Sequence, residues 1–437
     1  MSFSIQEFSA RRDQLLAGMG EGIAIVPTAA EVVRNRDSHY PYRFDSYFYY
    51  LTGFKEPEAV MVLIAGEAPK SILFCREKDM EHEIWDGVRY GPDAARELFG
   101  FDEAYTFNQL DEVVPKLLSN QAQLFYSLGA DVGWDVKVTK WLNQVKNLAR
   151  TGTSAPQAVR DVRRLVDQQR LLKTPYEIDL MRRSANIAAI AHNRAMQKTV
   201  VGKMENEIEA EFLHEFYRKG AQAPAYTSIV AGGENACTLH YSANNGVLND
   251  GDLLLIDAGC ELEGYASDIT RTFPVNGKFS GPQKDIYEIV LAAQLAAIEV
   301  AKPTYHWNMP HEAALDVLAQ GFVDIGLCKG TKDEVLENGD YRQFYMHRTG
   351  HWLGLDVHDV GDYKDKQGNW SALVAGHVLT VEPGCYVRAA DNVPEQFWNI
   401  GIRIEDDVLI TPQGNEVLSK AAVKSIADIE SQMAGAK

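Results

Sequence analysis

The chain's 437 residues suffice for two ordinary domains, and its 46% hydrophobic and 10% aromatic content supplies the core a globular protein needs. A formal net charge of −18, from 61 acidic and 43 basic residues, argues against a nucleic-acid partner, because phosphate binding needs a basic surface. The five cysteines (Cys75, Cys237, Cys260, Cys328 and Cys385) are scattered and odd in number, with no Cys-x-x-Cys pair; this speaks against a disulfide framework or thiolate zinc site and suits a reducing cytoplasm.

Taken from the N-terminus, Ser4 to Gly18 reads as a helix. Arg11, Arg12 and Asp13 interrupt it, so neither a signal peptide nor a membrane segment is expected there. The longest apolar run, Ala59 to Ala65, is far too short to span a bilayer. Gly22 to Pro27, Tyr47 to Thr52 and Ala59 to Ala65 read as strands, with turn-prone Gly53 and Pro57 between the last two. A smaller α/β domain is expected over residues 1–173, ending after the turn-rich Thr151 to Pro156.

A second domain, 174–437, opens at Thr174-Pro175-Tyr176-Glu177, a capping box with proline at the first helical position. That helix is expected to run to about Lys198. Others follow at about Met204 to Lys219, Pro282 to Ala301 and Pro310 to Leu327. Strands are expected at Asp252 to Cys260, Tyr265 to Val275, His377 to Val387 and Ile400 to Thr411. Helices together with antiparallel hairpins imply an α+β domain with a curved sheet.

The chemistry gathers on those strands. Leu253 to Ile256 form an apolar run that ends in Asp257, and a turn near Leu262 and Glu263 would place Asp268 opposite it. Two carboxylates so close repel unless neutralised. The ordinary reading is an exposed hairpin with solvated acids, but the apolar run reads as buried; a shared proton is possible, and metal fits better. Along Ile400 to Asp407, period-two alternation puts Arg403 and Glu405 on the face away from Ile400, Ile402 and Ile404. Glu382 interrupts Val378 to Val381 where Pro383 and Gly384 end the strand. His347, His351 and His358 fall within twelve positions set among glycines, which looks more like a site than a core. Four carboxylates with one imidazole and no thiolate favour hard ions such as Mn²⁺, though zinc or cobalt could enter. Four negative charges balance two divalent ions. Such a site, with a bridging hydroxide, suits a substrate carrying a cationic α-amino group.

The ordered set Asp257, Asp268, His351, Glu382 and Glu405, in these contexts, resembles the pita-bread metallopeptidases, and among them most closely the Xaa-Pro aminopeptidases. The matching phrases include Leu254 to Cys260, Asp268 to Lys278, His351 to Gly361, Thr380 to Gly384 and Gly401 to Asp407; Arg36 to Arg43 and Leu51 to Val60 resemble the smaller domain. The resemblance implies cleavage before a penultimate proline by a hydroxide held between two metals, with Asp268 and Glu405 bridging both ions, Asp257 binding one, and His351 with Glu382 the other. It further implies that Glu382 relays the proton, that His358 and His240 stabilise the oxyanion, and that His347 lines the proline subsite. Arg403 would pair with Asp37, while Trp85 and Tyr386 would border the pocket. Dimers or tetramers are usual in the family. The segment Arg348-Thr349-Gly350, between two of the histidines, departs from its pattern and bears on pocket shape.

Three rivals share parts of this pattern. A prolidase-type dipeptidase would use the same metals but need a free carboxylate just behind proline. A short methionine aminopeptidase would not need the 173 residues that precede Thr174. A metal-free pita-bread binding protein would be expected to lose ligands, and all five are present. Cys237, Cys260 and Cys385, each three residues from a candidate site residue, read as small packing residues rather than reactive thiols.

Overall fold

The computed structural model describes residues 5–435, which fall into two compact units that divide between Arg170 and Leu171. In the first, a six-stranded mixed sheet carries, in spatial order, Glu103–Thr106, Lys70–Cys75, Val60–Ala65, Gly22–Pro27, Gln123–Phe125 and Ala158–Arg160. Gly22–Pro27 runs antiparallel to Val60–Ala65 and parallel to Gln123–Phe125. Ile23, Ile25, Val60, Val62, Ile72 and Phe74 form one face of that sheet and pack on Leu110, Val114, Leu118, Trp141 and Val145 from two helices. The central strands are buried almost throughout, on both faces of the sheet, which makes an α/β unit.

Tyr47 to Thr52, expected as a strand, is part of a helix, Ser46–Thr52. The caps outweigh the strand preference of its aromatic residues. Asp45 accepts from the Phe48 amide at 2.9 Å, and Gly53, left-handed at φ 67°, closes the other end on the Tyr49 carbonyl.

In the second unit, the helices Pro175–Lys198, Glu205–Arg218, Gly281–Val300 and Met309–Asp324 form where the sequence predicts them. Thr174 caps the first as a full capping box. Strands here pair antiparallel throughout the described ladders. Ile229–Gly232, Leu253–Asp257 and Thr270–Pro274 make one sheet; Val378–Val381, Asp406–Thr411 and Gly414–Val417 another; Gly384–Val387 pairs with Ile400–Arg403. The four expected strands are each interrupted: at Ala258-Gly259, at Ser267 to Ile269, at Glu382-Pro383 and at Ile404-Glu405. One continuous core, from Ala188 and Phe212 through Leu254, Ile256, Ile286 and Val290 to Ile402 and Val408, lies beneath these ladders. No helix among the described residues is long and apolar enough to cross a membrane.

Candidate metal centre

Leu253–Asp257 is buried along its whole length, as its apolar run demands, and Asp257 is its last residue, 9% exposed. The expected pairing of Asp257 with Asp268 needs correcting. The short hairpin Cys260–Leu262 with Tyr265–Ala266 intervenes, and the register sets Asp257 opposite Thr270. Asp268 stands in the interruption just before that strand and is 5% exposed, so the solvated-hairpin reading is excluded. Both aspartates meet at the hydroxyl of Tyr226, 2.6 Å from Asp257 Oδ1 and 2.5 Å from Asp268 Oδ1. Nothing in the sequence around Ala225-Tyr226-Thr227 singles this tyrosine out.

His351 and Glu382 are brought together by backbone. The Thr380 amide donates to the His351 carbonyl at 3.0 Å and the Glu382 amide to the Thr349 carbonyl at 2.8 Å. Between them Gly350 lies so close to the Thr380 carbonyl that any Cβ would collide with it. His351 Nδ1 lies 2.9 Å from the Trp352 carbonyl, which can only accept. Nδ1 therefore carries the proton, leaving Nε2 facing Asp268 Oδ2 at 3.4 Å and Glu382 Oε1 at 3.6 Å. Glu405, 1% exposed, accepts from Thr270 Oγ1 at 2.6 Å. Arg403 donates to that same Thr270 oxygen at 3.1 Å, to the Tyr386 hydroxyl at 2.9 Å and to Asp257 Oδ2 at 2.6 Å.

Electrostatically the cluster is starved of positive charge. Burial, reinforced by Asp268, Glu382 and Asp257, pushes the Glu405 carboxyl well above its ordinary range. Burial likewise raises Asp257 and pushes Glu382 up to about 7, although His351 and Arg403 oppose it. For His351, burial disfavours the charged ring, yet the contact with Asp268 and the charge of Glu382 push it up to about 9. A tyrosine hydroxyl has one proton to donate, so two contacts this short require a further proton or a cation at one carboxylate. Donor atoms of Asp268, His351 and Glu405 all lie within 4.8 Å of one another. These residues fit divalent ions: oxygen-rich, buried, with the imidazole oriented by a backbone carbonyl as metal-ligating histidines are.

The cluster opens into a cavity of about 1040 Å³, lined by Asp257, Asp268, Glu382, Glu405, Arg403, His240, His347, His351 and His358, with Trp307, Leu239, Tyr363 and Trp370 among its apolar walls. His240 and His358 are exposed. Burial and the neighbouring Arg403 hold His347 neutral, with its pKa down to about 3. Its Nδ1 then donates to the Arg348 carbonyl at 2.7 Å, and its Nε2 accepts from the Tyr386 hydroxyl at 2.9 Å. Tyr386 is thus buried behind the cavity, linking Arg403 to His347, rather than bordering it.

Two expected site residues belong to the first unit. Asp37 is exposed at the turn between Val33–Asn35 and Ser38–His39; within the second unit Arg403 pairs with Asp257. Trp85 is 85% exposed on the helix Met80–Asp86.

Family models match both units: the aminopeptidase P N-terminal domain over residues 8–126 and metallopeptidase family M24 over residues 179–412. The chain is 46% identical to the Xaa-Pro aminopeptidase of Haemophilus influenzae, an alignment spanning 98% of this chain and 97% of that one. Its structure is similar to that of Pseudomonas aeruginosa aminopeptidase PepP, with TM-score 0.98, 47% identity and 99% of each chain covered. It is equally similar in shape to zinc-substituted Escherichia coli aminopeptidase P in complex with product, with TM-score 0.98, 44% identity and 100% of each chain covered.

Proposed function

Because the chain belongs to metallopeptidase family M24 and carries the aminopeptidase P N-terminal domain, we propose that it releases the N-terminal residue of peptides whose second residue is proline. It is a hydrolase, a metalloexopeptidase. The observation that carries the metal-dependent hydrolysis is the convergence of four buried or half-buried carboxylates and the oriented His351 on a single cavity; the substrate class rests on the similarity to Xaa-Pro aminopeptidases.

Two divalent ions suit the four negative charges. Asp268 and Glu405 would hold both, Asp257 one, and His351 with Glu382 the other; the donor set favours Mn²⁺, with zinc or cobalt as substitutes. When bound, such ions polarise a carbonyl and acidify water. The remaining work belongs to side chains. Glu382, a carboxylate at the cavity wall beside His351, is placed to take the proton of the attacking water and hand it to the departing proline nitrogen. His240 and His358 supply donors for the carbonyl oxygen as it gains charge. His347, neutral and immobilised, gives the proline ring a wall, and the acidic cluster attracts the substrate's α-ammonium group.

We further propose a cytoplasmic homo-oligomer, dimer or tetramer. All five cysteines are free, which suits a reducing compartment, and Met80, Ile84, Trp85 and Val88 leave an exposed apolar face that a second copy would cover. Light scattering on the purified protein measures this directly.

The decisive assay compares Ala-Pro-Ala with Ala-Pro. Cleavage of the tripeptide, abolished by chelator and restored by Mn²⁺, is the expected result. Cleavage of the dipeptide alone would indicate a prolidase. A protein that binds no metal and stays inactive with added Mn²⁺ would be a binding module.

A further inference from the structure

The cavity has a second electrical pole. Arg348 lines it while remaining exposed, which places it at the opening. Its guanidinium donates to Asn308 Oδ1 and lies 5.0 Å from the ring centre of Trp370, another lining residue; the Lys364 ammonium sits 4.1 Å from the same ring. Among the described residues neither cation has a carboxylate within ion-pairing distance. The other guanidinium in the lining, Arg403, is buried and committed to Asp257. All four acids of the lining belong to the metal cluster, so nothing in the cavity wall neutralises Arg348.

Resting on the proline-specific reading above, we propose that Arg348, with Lys364 behind Trp370, binds a carboxylate carried by the residue after proline. Chain geometry favours this. His347, the candidate wall of the proline subsite, is fixed to the Arg348 carbonyl by its own Nδ1, and Arg348 lines the same cavity beside it. A peptide held by its ammonium at the acidic cluster, with proline against His347, carries its third residue toward Arg348. Two groups there are anionic: an aspartate or glutamate side chain, and the terminal carboxylate of a tripeptide. Either matches the planar fork of a guanidinium, which recognises carboxylate through paired hydrogen bonds.

The test uses the Mn²⁺-loaded full chain and two peptide pairs: Ala-Pro-Glu-amide against Ala-Pro-Gln-amide, and Ala-Pro-Ala against its amide. The native protein should prefer the anionic member of at least one pair by roughly tenfold in kcat/KM, mostly through KM. The pair that shows the preference identifies the source of the charge. Arg348→Gln should bring the ratio near unity, Arg348→Lys should keep part of it, and Arg348→Glu should favour Ala-Pro-Lys-amide instead. A merely structural arginine would change both members of a pair alike and leave the ratio intact. Equal rates within both pairs, or a preference that survives Arg348→Gln, overturn the proposal while leaving proline specificity standing. Failure to cleave any of these peptides overturns both.

Discussion

A phenol carries one proton, yet Tyr226 sets its oxygen against Asp257 and Asp268 together. Removing that oxygen leaves the aspartates without the group that fixes their spacing. Tyr226→Phe should therefore keep the fold but weaken Mn²⁺ affinity or activity by roughly 10–100-fold, the usual effect of losing a group that orients ligands. Activity titrated against Mn²⁺ checks this, and an unchanged titration curve would show that the hydroxyl is dispensable. His240 was suggested by the family resemblance alone, whereas Asp257, Glu382, His347, His351 and His358 were legible because they break apolar or glycine-rich stretches. Tyr226 was not, since a tyrosine beside Ala225 is ordinary chain and its partners lie 31 and 42 residues away. Strand alternation predicts the face of Arg403 but not which neighbouring acid it meets; within the second unit, burial beside Asp257 decides that.

Secondary structure explains why acids can occupy these places. Asp257 ends its strand, and Asp268, Glu382 and Glu405 each stand where a ladder is interrupted. Inside a ladder, side chains must alternate between two faces; at an interruption the backbone turns and successive segments can aim at one point. Hydrophobic period marks where a strand is but is blind to a gap of two or three residues, which is why four continuous strands were expected. At Glu382 the gap is enforced by Pro383, which has no amide to donate. Gly350 serves the same end by letting Thr349 to His351 lie against Thr380 to Glu382. Gly350→Ala should push these segments apart, costing about 1–3 kcal/mol of stability together with metal affinity. Gly414→Ala, where a Cβ would meet open space, is the control and should stay within about 0.5 kcal/mol. Equal thermal midpoints for the two variants would refute the close-approach argument. The mistaken strand at Tyr47 to Thr52 has a local cause as well: two caps decide a seven-residue element that aromatic composition alone would assign to a sheet.

At the scale of the whole molecule, division into a smaller α/β unit and a larger helix-and-strand unit was legible from the capping box at Thr174, while the spatial order of strands was not, because it depends on pairings distant in sequence. Acid sensitivity also belongs to this scale. Burial holds His192, His311 and His377 down to about 4 from their ordinary 6.5. A histidine depressed in the folded state contributes its stability above pH 6.5 and loses it as pH falls toward 4, since the unfolded chain takes up the proton first. The metal-free protein, kept in chelator, should show a urea midpoint that declines steadily across that window; a flat profile would mean these rings can charge without unfolding the chain. Finally, the converging carboxylates begin at position 257 and are complete only at 405. A polypeptide still emerging from the ribosome lacks Glu405 until about 400 residues have been made, so truncation products ending before that point should hold no divalent ion at this site.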